Sequence, residues 1–238
     1  MSERLFGILT ESFPKILMAC IQVTIPLTLL VFSIGLILGF FLALVQVANV
    51  PVLRRAARVY VWLFRGTPLL VQLYIVFFGL PSIGITLDAF PSALIAFSLN
   101  NAAYTSETVR AALLSVPQGQ TEAGYMVGLS YGQIMRRIVI PQAARVAFPT
   151  LSNSLISLTK DTSLAAAITV VELFKTAQQV AAVYFEPFAL YCEAALVYLM
   201  LNTLLTLLQS FLEKKINPTS AKKTRRSLIQ IGKEKNHA

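Results

Sequence analysis

The sequence predicts an all-α membrane protein with about five transmembrane helices, and three observations support this fold class. Apolar residues make up 56% of the 238 positions and charged residues only 13%, a composition that is abnormal for a water-soluble domain. The stretch from Ile16 to Leu53 contains no charged residue, whereas about 20 apolar residues already suffice to cross a bilayer. The lysines and arginines are also distributed unevenly along the chain, as they are in membrane proteins of fixed orientation.

Five apolar windows are long enough to span a membrane, and they fall at about residues 19–48, 59–80, 91–114, 147–170 and 188–212. Gly66 and Pro68 are expected to break the second span. Residues 16–212 are therefore predicted to form the transmembrane domain. The preceding residues 1–15 mix both signs of charge. They are predicted to be a retained amphipathic lead-in, because a cleavable signal peptide places its positive charges just before a short apolar run.

The positions of the 20 lysines and arginines predict that the N-terminus lies outside and the C-terminus inside. In that orientation 16 of them lie on the inner side and three on the outer side, while Lys160 lies within a span, as the positive-inside rule requires. Five acidic residues then face outward, namely Glu3, Glu11, Asp88, Glu172 and Glu186. The basic tail, residues 213–238, is expected to contact anionic lipid rather than nucleic acid.

The stretch EAGYMVGLSYGQIMRRIVIP, from Glu122 to Pro141, interrupts the apolar chain with three glycines and two arginines. It belongs to the inner connection of about 30 residues between positions 115 and 145. The pattern predicts two short helices with a sharp joint near Gly128 to Gly132, the second helix being closed by Pro141. An ordinary amphipathic connection at the membrane surface is the alternative interpretation.

This stretch is similar to the cytoplasmic EAA…G…I-x-L-P loop of binding-protein-dependent ABC importer permeases. Gly124 replaces the third motif residue, an alanine, and Ile140 replaces the leucine. Four further segments, in the same chain order, resemble the amino-acid permeases of that superfamily: FRGTPLLVQLYIVFFGLP, AYTSETVRAAL, VPQGQTEAG and LISLTKDTSLAAAITVVEL. The resemblance covers about residues 15–212.

The resemblance implies a type I importer permease fold in the inner membrane, with cytoplasmic coupling helices that dock into a separate ATPase. The coupling positions carried over are Glu122, Ala123, Gly124, Gly128 and Pro141. The implied partners are two ATPase subunits, a second permease subunit, taken as another copy of this chain, and an extracytoplasmic amino-acid-binding protein. The sequence contains no G-x-x-x-x-G-K-[ST] phosphate loop. ATP and Mg²⁺ are therefore expected on the ATPase, and this chain is expected to hold no cofactor, metal or catalytic site.

Ionisable residues within spans are costly and are therefore functional candidates. The candidates taken from the spans are Glu107, Lys160 and Asp161. The resemblance implies that Glu107 and Asp161 line an intramembrane substrate site, where carboxylates suit an α-ammonium group. Neighbouring polar side chains are expected to bind the remaining atoms of an amino acid: Asn100, Asn101, Tyr104, Thr162 and Ser163.

Structural roles for these residues are open as well. Glu107 can pair with Arg110, three residues later on the same helix. Asp161 can bridge to Lys160 or cap a helix break. For Arg65, simple anchoring at the inner interface is preferred to a role in the pathway.

The predicted function is that of the membrane subunit of an ATP-driven importer for a polar amino acid. The segment from Phe77 to Glu107 most resembles permeases assigned to L-cystine. A secondary carrier or channel driven by an ion gradient is the alternative, although five spans show no inverted repeat. An integral-membrane enzyme is disfavoured, since the only histidine is His237 in the tail and no nucleophile–base or metal-ligand cluster appears.

Overall fold

The computed structural model describes residues 2–48 and 50–216, and these ranges contain only helices and short turns. The all-α fold class is thereby confirmed. Of the tail predicted for residues 213–238, only residues 213–216 are described, and they complete the last helix. The lipid contact predicted for the rest of the tail lies outside the described residues.

The helices follow one another in chain order without a strand in the described ranges. The α-helices are α1 (Ser2–Ala19), α2 (Ile25–Val47), α3 (Pro51–Gly66), α4 (Leu69–Tyr74), α5 (Ala89–Leu114), α6 (Gln118–Met126), α7 (Tyr131–Ile134), α8 (Ile140–Asp161), α9 (Leu173–Tyr184) and α10 (Pro187–Ile216). Short π-helical turns occur at Cys20–Thr24, Ile75–Gly79 and Met135–Val139, and 3₁₀ segments at Leu80–Ile83 and Thr162–Ile168.

Within residues 2–48 and 50–216, two helical segments are long and apolar enough to cross a membrane, Glu3–Val47 and Pro187–Ile216. The number rises to four if each bent pair counts as one span, the pairs being Pro51–Gly66 with Leu69–Ile83 and Tyr131–Ile168 with Leu173–Tyr184. Helix α5 has 26 residues and is therefore about 39 Å long, but its polar residues lower its hydropathy. The span count of five and the orientation remain predictions.

Helices α1 and α2 form one continuous helical segment through the π-helical turn Cys20–Thr24. Of the lead-in predicted for residues 1–15, residues 2–15 are helical, and this helix packs against α9 and α10. The buried Ser12 hydroxyl donates a hydrogen bond of 2.5 Å to Oε2 of Glu193, a buried residue of α10. Because a buried carboxylate needs a hydrogen-bond partner, this bond ties the first helix to the last.

The second predicted span is broken where Gly66 and Pro68 predict a break. Helix α3 ends at Gly66 and α4 begins at Leu69, and the segments Pro51–Gly66 and Leu69–Ile83 are bent by 103°. Pro68 has no N–H and so deprives the carbonyl of Phe64 of its helical partner four residues later. The bend therefore leaves backbone groups at the break that need other partners.

The most extensive helix contact is that of α2 with α5, and two glycines make it possible. A Cβ atom at Gly35 would clash with Nδ2 of Asn101, and one at Gly39 would lie 2.7 Å from Cβ of Thr105. Gly35 and Gly39 lie on one face of α2 because they are four residues apart. Polar residues of α5 are thereby packed directly against the α2 backbone.

The predicted joint in the inner connection is confirmed. Helix α6 ends at Met126, and Gly128 follows with a left-handed φ of 79°, which glycine adopts without a Cβ penalty. Ser130 then caps α7. Its hydroxyl accepts from the N–H of Gln133, and its own N–H donates to the Gln133 side chain at 2.8 Å, which is a capping box.

The prediction that Pro141 closes the second helix is wrong. The chain stays helical from Tyr131 through the π-helical turn Met135–Val139 into α8, and Pro141 lies in the first turn of α8. At the end of the π-helical turn, the N–H of Ile140 bonds to the carbonyl of Met135, one residue further back than in an α-helix. This wider turn leads the helix past the position at which proline lacks an N–H.

Replacing Gly39 by alanine should destabilise the protein by about 1–3 kcal/mol, because the added methyl group overpacks the α2–α5 contact. It would lie 2.7 Å from Cβ of Thr105 and 2.9 Å from the carbonyl oxygen of Ala102. The measurement is the thermal unfolding midpoint of the purified chain in detergent. Gly7→Ala is the matched control, since a Cβ at Gly7 meets nothing within 4 Å and alanine favours the helix. Equal midpoints for the two variants would contradict the close packing.

Candidate functional site

Two side-chain amides hold the break between α3 and α4. Nε2 of Gln72 lies within hydrogen-bonding distance of the carbonyl oxygens of Phe64, at 2.8 Å, and Thr67, at 3.1 Å, and of the Thr67 hydroxyl, at 2.7 Å. Nδ2 of Asn100, on α5, donates to the same Phe64 oxygen at 3.2 Å and to Oε1 of Gln72 at 3.0 Å. Side chains thus satisfy the carbonyls that the break leaves without helical partners.

A cavity of about 670 Å³ opens at this break, within the size range of small-molecule sites. We name it the break cavity. Residues 65–69 of the broken span line it, and α8 adds a polar row, Asn153, Ser154, Ser157 and Asp161. Helix α5 contributes Asn100, Asn101 and Tyr104. The structure therefore brings together four of the seven predicted substrate-binding residues.

The Asp161 carboxylate belongs to the break cavity and is exposed there. Within the described ranges it forms no salt bridge, and Lys160, its neighbour, forms none either. Asp161 occupies the N-cap position of the segment Thr162–Ile168, but its side chain accepts no capping hydrogen bond. In the described part of the chain, neither alternative structural role is present. The carboxylate is therefore placed to meet a ligand.

Thr162 and Ser163 do not line the break cavity. Thr162 is buried, and its hydroxyl donates to the carbonyl of Thr159 at 2.8 Å, while the Ser163 hydroxyl donates to the carbonyl of Lys160 at 2.6 Å. Both hydroxyls therefore bond to the preceding helical turn, as serine and threonine commonly do. They stabilise the change from α8 to the 3₁₀ segment that positions Asp161.

Glu107 lines a second cavity, of about 500 Å³, which we name the arginine cavity. Arg110 binds its carboxylate through two hydrogen bonds, from Nε at 3.1 Å and from Nη2 at 2.9 Å. The pairing with Arg110, left open by the sequence, is thus present. Asn100 and Tyr104 share a face of α5 with Glu107, but Glu107 lies about 10 Å further along the axis than Asn100, because seven residues separate them. This distance places it in a different cavity.

Arg65 joins the two cavities, and sequence reasoning undervalued it. Its side chain lines both, and its guanidinium carbon lies 5.3 Å from the centre of the Tyr104 ring. Its Nη1 lies 3.7 Å from Oε2 of Glu107. Anchoring at the inner interface, the role preferred from the sequence, stays a prediction beside these contacts. The sequence does contain a signal, because Arg65 is next to Gly66 at the predicted helix break. Residues at that break line the break cavity.

Sequence reasoning also misses two buried acids. Glu193 lies inside the fifth apolar window and bonds to Ser12. Glu172 is fully buried, caps α9 by accepting from the N–H of Lys175 at 2.7 Å, and accepts from the Tyr198 hydroxyl at 3.0 Å. The average over an apolar window hides the single acid Glu193, and Glu172 lies outside the windows and is expected to face outward, so only the packing identifies both as buried. The described residues contain no group of three or more potential metal ligands.

The predicted coupling residues lie along the α6–α7 connection and the start of α8. Glu122 and Ala123 are exposed on α6, and Pro141 is exposed on α8. Gly124 is buried, because a Cβ there would lie 2.7 Å from Cγ1 of Ile134. This glycine allows α6 to pack closely against the following helix.

The end of α6 carries an exposed apolar surface, formed by Tyr125, Met126, Val127 and Tyr131. Met126 is the most exposed of the four, with a relative exposure of 88%. We name these four residues the coupling tip. An apolar surface presented on a short rigid turn is typical of a protein-docking site.

Comparison with known proteins identifies the family. Residues 35–218 match the family described as "Binding-protein-dependent transport system inner membrane component". The chain belongs to this permease family. The permease is 48% identical over 218 residues to the L-cystine transport system permease protein TcyB of Bacillus subtilis (strain 168), with 91% of this chain and 93% of TcyB covered. It is 46% identical over 168 residues to the L-cystine transport system permease protein TcyL of the same organism, with 68% and 70% covered.

A solved structure has the same fold. The permease superposes with a TM-score of 0.81 and 30% identity on a chain from the crystal structure of an amino acid ABC transporter with histidines, with 87% of this chain and 96% of that one covered. The permease is therefore an amino-acid ABC importer permease of the type I fold. It is a multi-pass inner-membrane protein.

Replacing Gln72 by leucine should destabilise the permease by about 1–3 kcal/mol, because the carbonyls of the break lose a hydrogen-bond donor and Asn100 loses its acceptor at Oε1 of Gln72. The thermal unfolding midpoint in detergent measures this loss. Gln179→Leu is the matched control, since Gln179 is exposed on α9 and has no side-chain hydrogen bond in the described part of the chain. A midpoint for Gln72→Leu equal to that of the control would contradict the role of the amide.

Proposed function

We propose that the permease is the membrane subunit of an ATP-driven importer for a polar amino acid, with L-cystine as the leading candidate, and that the break cavity is its substrate site. One observation carries this proposal. Among the described residues that line the cavity, Arg65 and Asp161 are the charged ones, and neutral polar side chains surround them. An amino acid presents one carboxylate and one ammonium group, and these opposite charges complement both.

Asp161 is assigned the α-ammonium group of the substrate, because its exposed carboxylate has no salt bridge in the described ranges. Arg65 is assigned the α-carboxylate, since a guanidinium binds a carboxylate through two parallel hydrogen bonds. Its contacts with the Tyr104 ring and with Glu107 at 3.7 Å are long and exchange readily for a ligand. The amides of Asn100 and Asn101 supply neutral hydrogen-bonding groups.

Glu107 is assigned an indirect role, in which it contacts Arg65 and not the substrate. Arg110 holds its carboxylate firmly, whereas Arg65 touches it at 3.7 Å. A substrate that engages Arg65 therefore changes the surroundings of Glu107 without displacing Arg110.

The charge of the cavity lining favours a substrate with a neutral side chain. One arginine and one aspartate cancel, so the lining offers no second carboxylate for the side chain of a lysine or arginine substrate. A disulfide-linked substrate such as L-cystine has no net charge at neutral pH, and two relatives are named for L-cystine transport. The lining is thus compatible with any amino acid of zero net charge, and relatedness selects L-cystine among these.

Energy is proposed to arrive through the coupling tip, because the sequence contains no phosphate loop of its own. ATP and Mg²⁺ would be bound by separate ATPase subunits, whose groove receives the tip together with Glu122. Helix α6 packs through Gly124 against Ile134 of α7, and from Tyr131 the chain continues as one helical segment into α8. Movement of the tip can therefore reach Asp161 at the end of α8 as a rigid-body motion.

The proposed assembly also includes a second permease subunit, taken as another copy of this chain, and an extracytoplasmic amino-acid-binding protein. Membership of a binding-protein-dependent family supports the latter.

Asp161→Asn should raise the L-cystine concentration for half-maximal uptake about ten- to a hundredfold, because it removes a charge-assisted hydrogen bond to the ammonium group. Glu107→Gln keeps an acceptor for Arg110 and should change that concentration by less than about threefold. Uptake is measured in proteoliposomes that contain the complete transporter, with saturating binding protein, and the ATPase rate is recorded in parallel.

Asp88→Asn serves as the control for both variants, because Asp88 is an exposed carboxylate before α5 that lines neither cavity. Unchanged uptake by Asp161→Asn would remove Asp161 from the substrate site. A large defect in Glu107→Gln with an intact ATPase rate would move Glu107 into direct contact with the substrate.

Glu122→Arg and Gly128→Leu should each abolish uptake and substrate-stimulated ATP hydrolysis while the permease still inserts into the membrane. The first reverses an exposed charge beside the coupling tip, and the second forces a bulky residue into a left-handed φ. The ATPase rate of the reconstituted complex is the measurement. Gly132→Ala is the control, because a Cβ there meets nothing within 4 Å. Normal rates in both test variants, or ATP hydrolysis by the permease alone, would contradict the coupling mechanism.

A further inference from the structure

The arginine cavity contains arginines to which the proposed transport mechanism assigns no role, Arg54 and Arg58. Four arginines line it, three of them on α3 and one on α5: Arg54, Arg58, Arg65 and Arg110. Glu107 is the only acidic residue among its described lining residues. Arg54, Arg58 and Arg65 fall at intervals of four and seven residues, which place them on one face of α3.

The four arginines differ in which groups their side chains contact. Arg110 and Arg65 are turned towards Glu107, and Nη2 of Arg54 donates to the carbonyl of Ala48 at 2.7 Å. Arg58 is exposed and forms no salt bridge with a residue in the described ranges. A cavity lined by four guanidinium groups and one carboxylate attracts an anion, and guanidinium groups bind phosphate oxygens in pairs.

Apolar surface adjoins these charges. Trp62 lines the same cavity with a relative exposure of 74%. Val59 and Leu63, also on α3, are exposed as well. A second, smaller cavity of about 290 Å³ shares Arg54 and Arg58 with the first and adds Arg55. The region therefore combines an anion-binding surface with an exposed tryptophan and aliphatic side chains, as interfacial helices do.

We propose that the arginine cavity binds the phosphate headgroup of an anionic phospholipid, with Arg58 as the principal contact and Trp62 against the glycerol and upper acyl region. A free phosphate or nucleotide shares the phosphate chemistry. The exposed apolar side chains next to the arginines favour the lipid, because a soluble anion gains nothing from them. The positive-inside prediction places this end of α3 at the inner leaflet, where anionic lipids are found.

Trp62 is the only tryptophan of the sequence, so its fluorescence reports on the cavity directly. The full-length permease is reconstituted in bilayers of equimolar phosphatidylglycerol and phosphatidylcholine, with bromine atoms on the acyl chains of one lipid or of the other. Bilayer composition and charge are then identical, and only the quencher changes. Quenching should be stronger when phosphatidylglycerol is brominated, with a preference of about fivefold or more, as expected for one well-placed arginine.

Arg58→Gln should lower this preference about fivefold, and Arg58→Glu should lower it further. Arg58 is exposed, and size-exclusion profiles equal to that of the parent establish that both variants fold. The matched control is the double variant Arg136→Gln, Arg137→Gln, which removes two exposed arginines of the π-helical turn before α8 and should keep the preference.

Three results would overturn the proposal. The first is equal quenching by the two brominated lipids. The second is a preference that survives both Arg58 variants, since it would then arise from general surface charge. The third is relief of quenching by inorganic phosphate but not by chloride at the same ionic strength, which would assign the cavity to a soluble phosphate.

Discussion

The hydrogen bonds from the Gln72 side chain to the broken second span support the rest of the site. Pro68 leaves the carbonyl of Phe64 without a helical partner, and an unpaired carbonyl in a bilayer costs several kcal/mol. Gln72 and Asn100 remove this cost by bonding to Phe64 from two different helices. The chain can therefore turn by 103° without a penalty at the turn. Both cavities depend on this turn. It places α3 beside α5 and leaves a polar space between the break and α8.

The charges in these cavities form a chain with Arg65 at its centre. Asp161 lies on one side of it, in the break cavity, and Glu107 lies on the other, where Arg110 already neutralises it. Glu107 and Asp161 are both carboxylates and look equivalent in the sequence, but their surroundings in the fold differ. A carboxylate whose guanidinium partner is in place is a structural element, whereas one without a partner in the described ranges is available to a ligand.

The coupling segment depends on two local departures from a regular helix. Gly124 lets α6 lie against Ile134 at a distance that a side chain would prevent. The π-helical turn Met135–Val139 then carries the helix past Pro141, so that the joint and α8 are mechanically continuous. A proline that closed the helix, as the sequence pattern predicts, would have separated the coupling tip from Asp161. The wider turn instead keeps Tyr131, just after the joint, and Asp161 on one helical segment, Tyr131–Ile168.

The sequence by itself determined the all-α membrane fold, the break at Gly66 and Pro68 and the joint at Gly128, because composition and the backbone limits of glycine and proline act locally. It also singled out Glu107 and Asp161 as candidates, since a charge among other polar residues stands out in an apolar stretch, whereas the isolated Glu193 does not. Only the tertiary structure decided that Arg65 lines both cavities, that Glu107 is bonded to Arg110 and that Asp161 is exposed in the break cavity. These outcomes depend on which side chains meet from helices far apart in the chain, and no periodicity within one segment encodes that meeting.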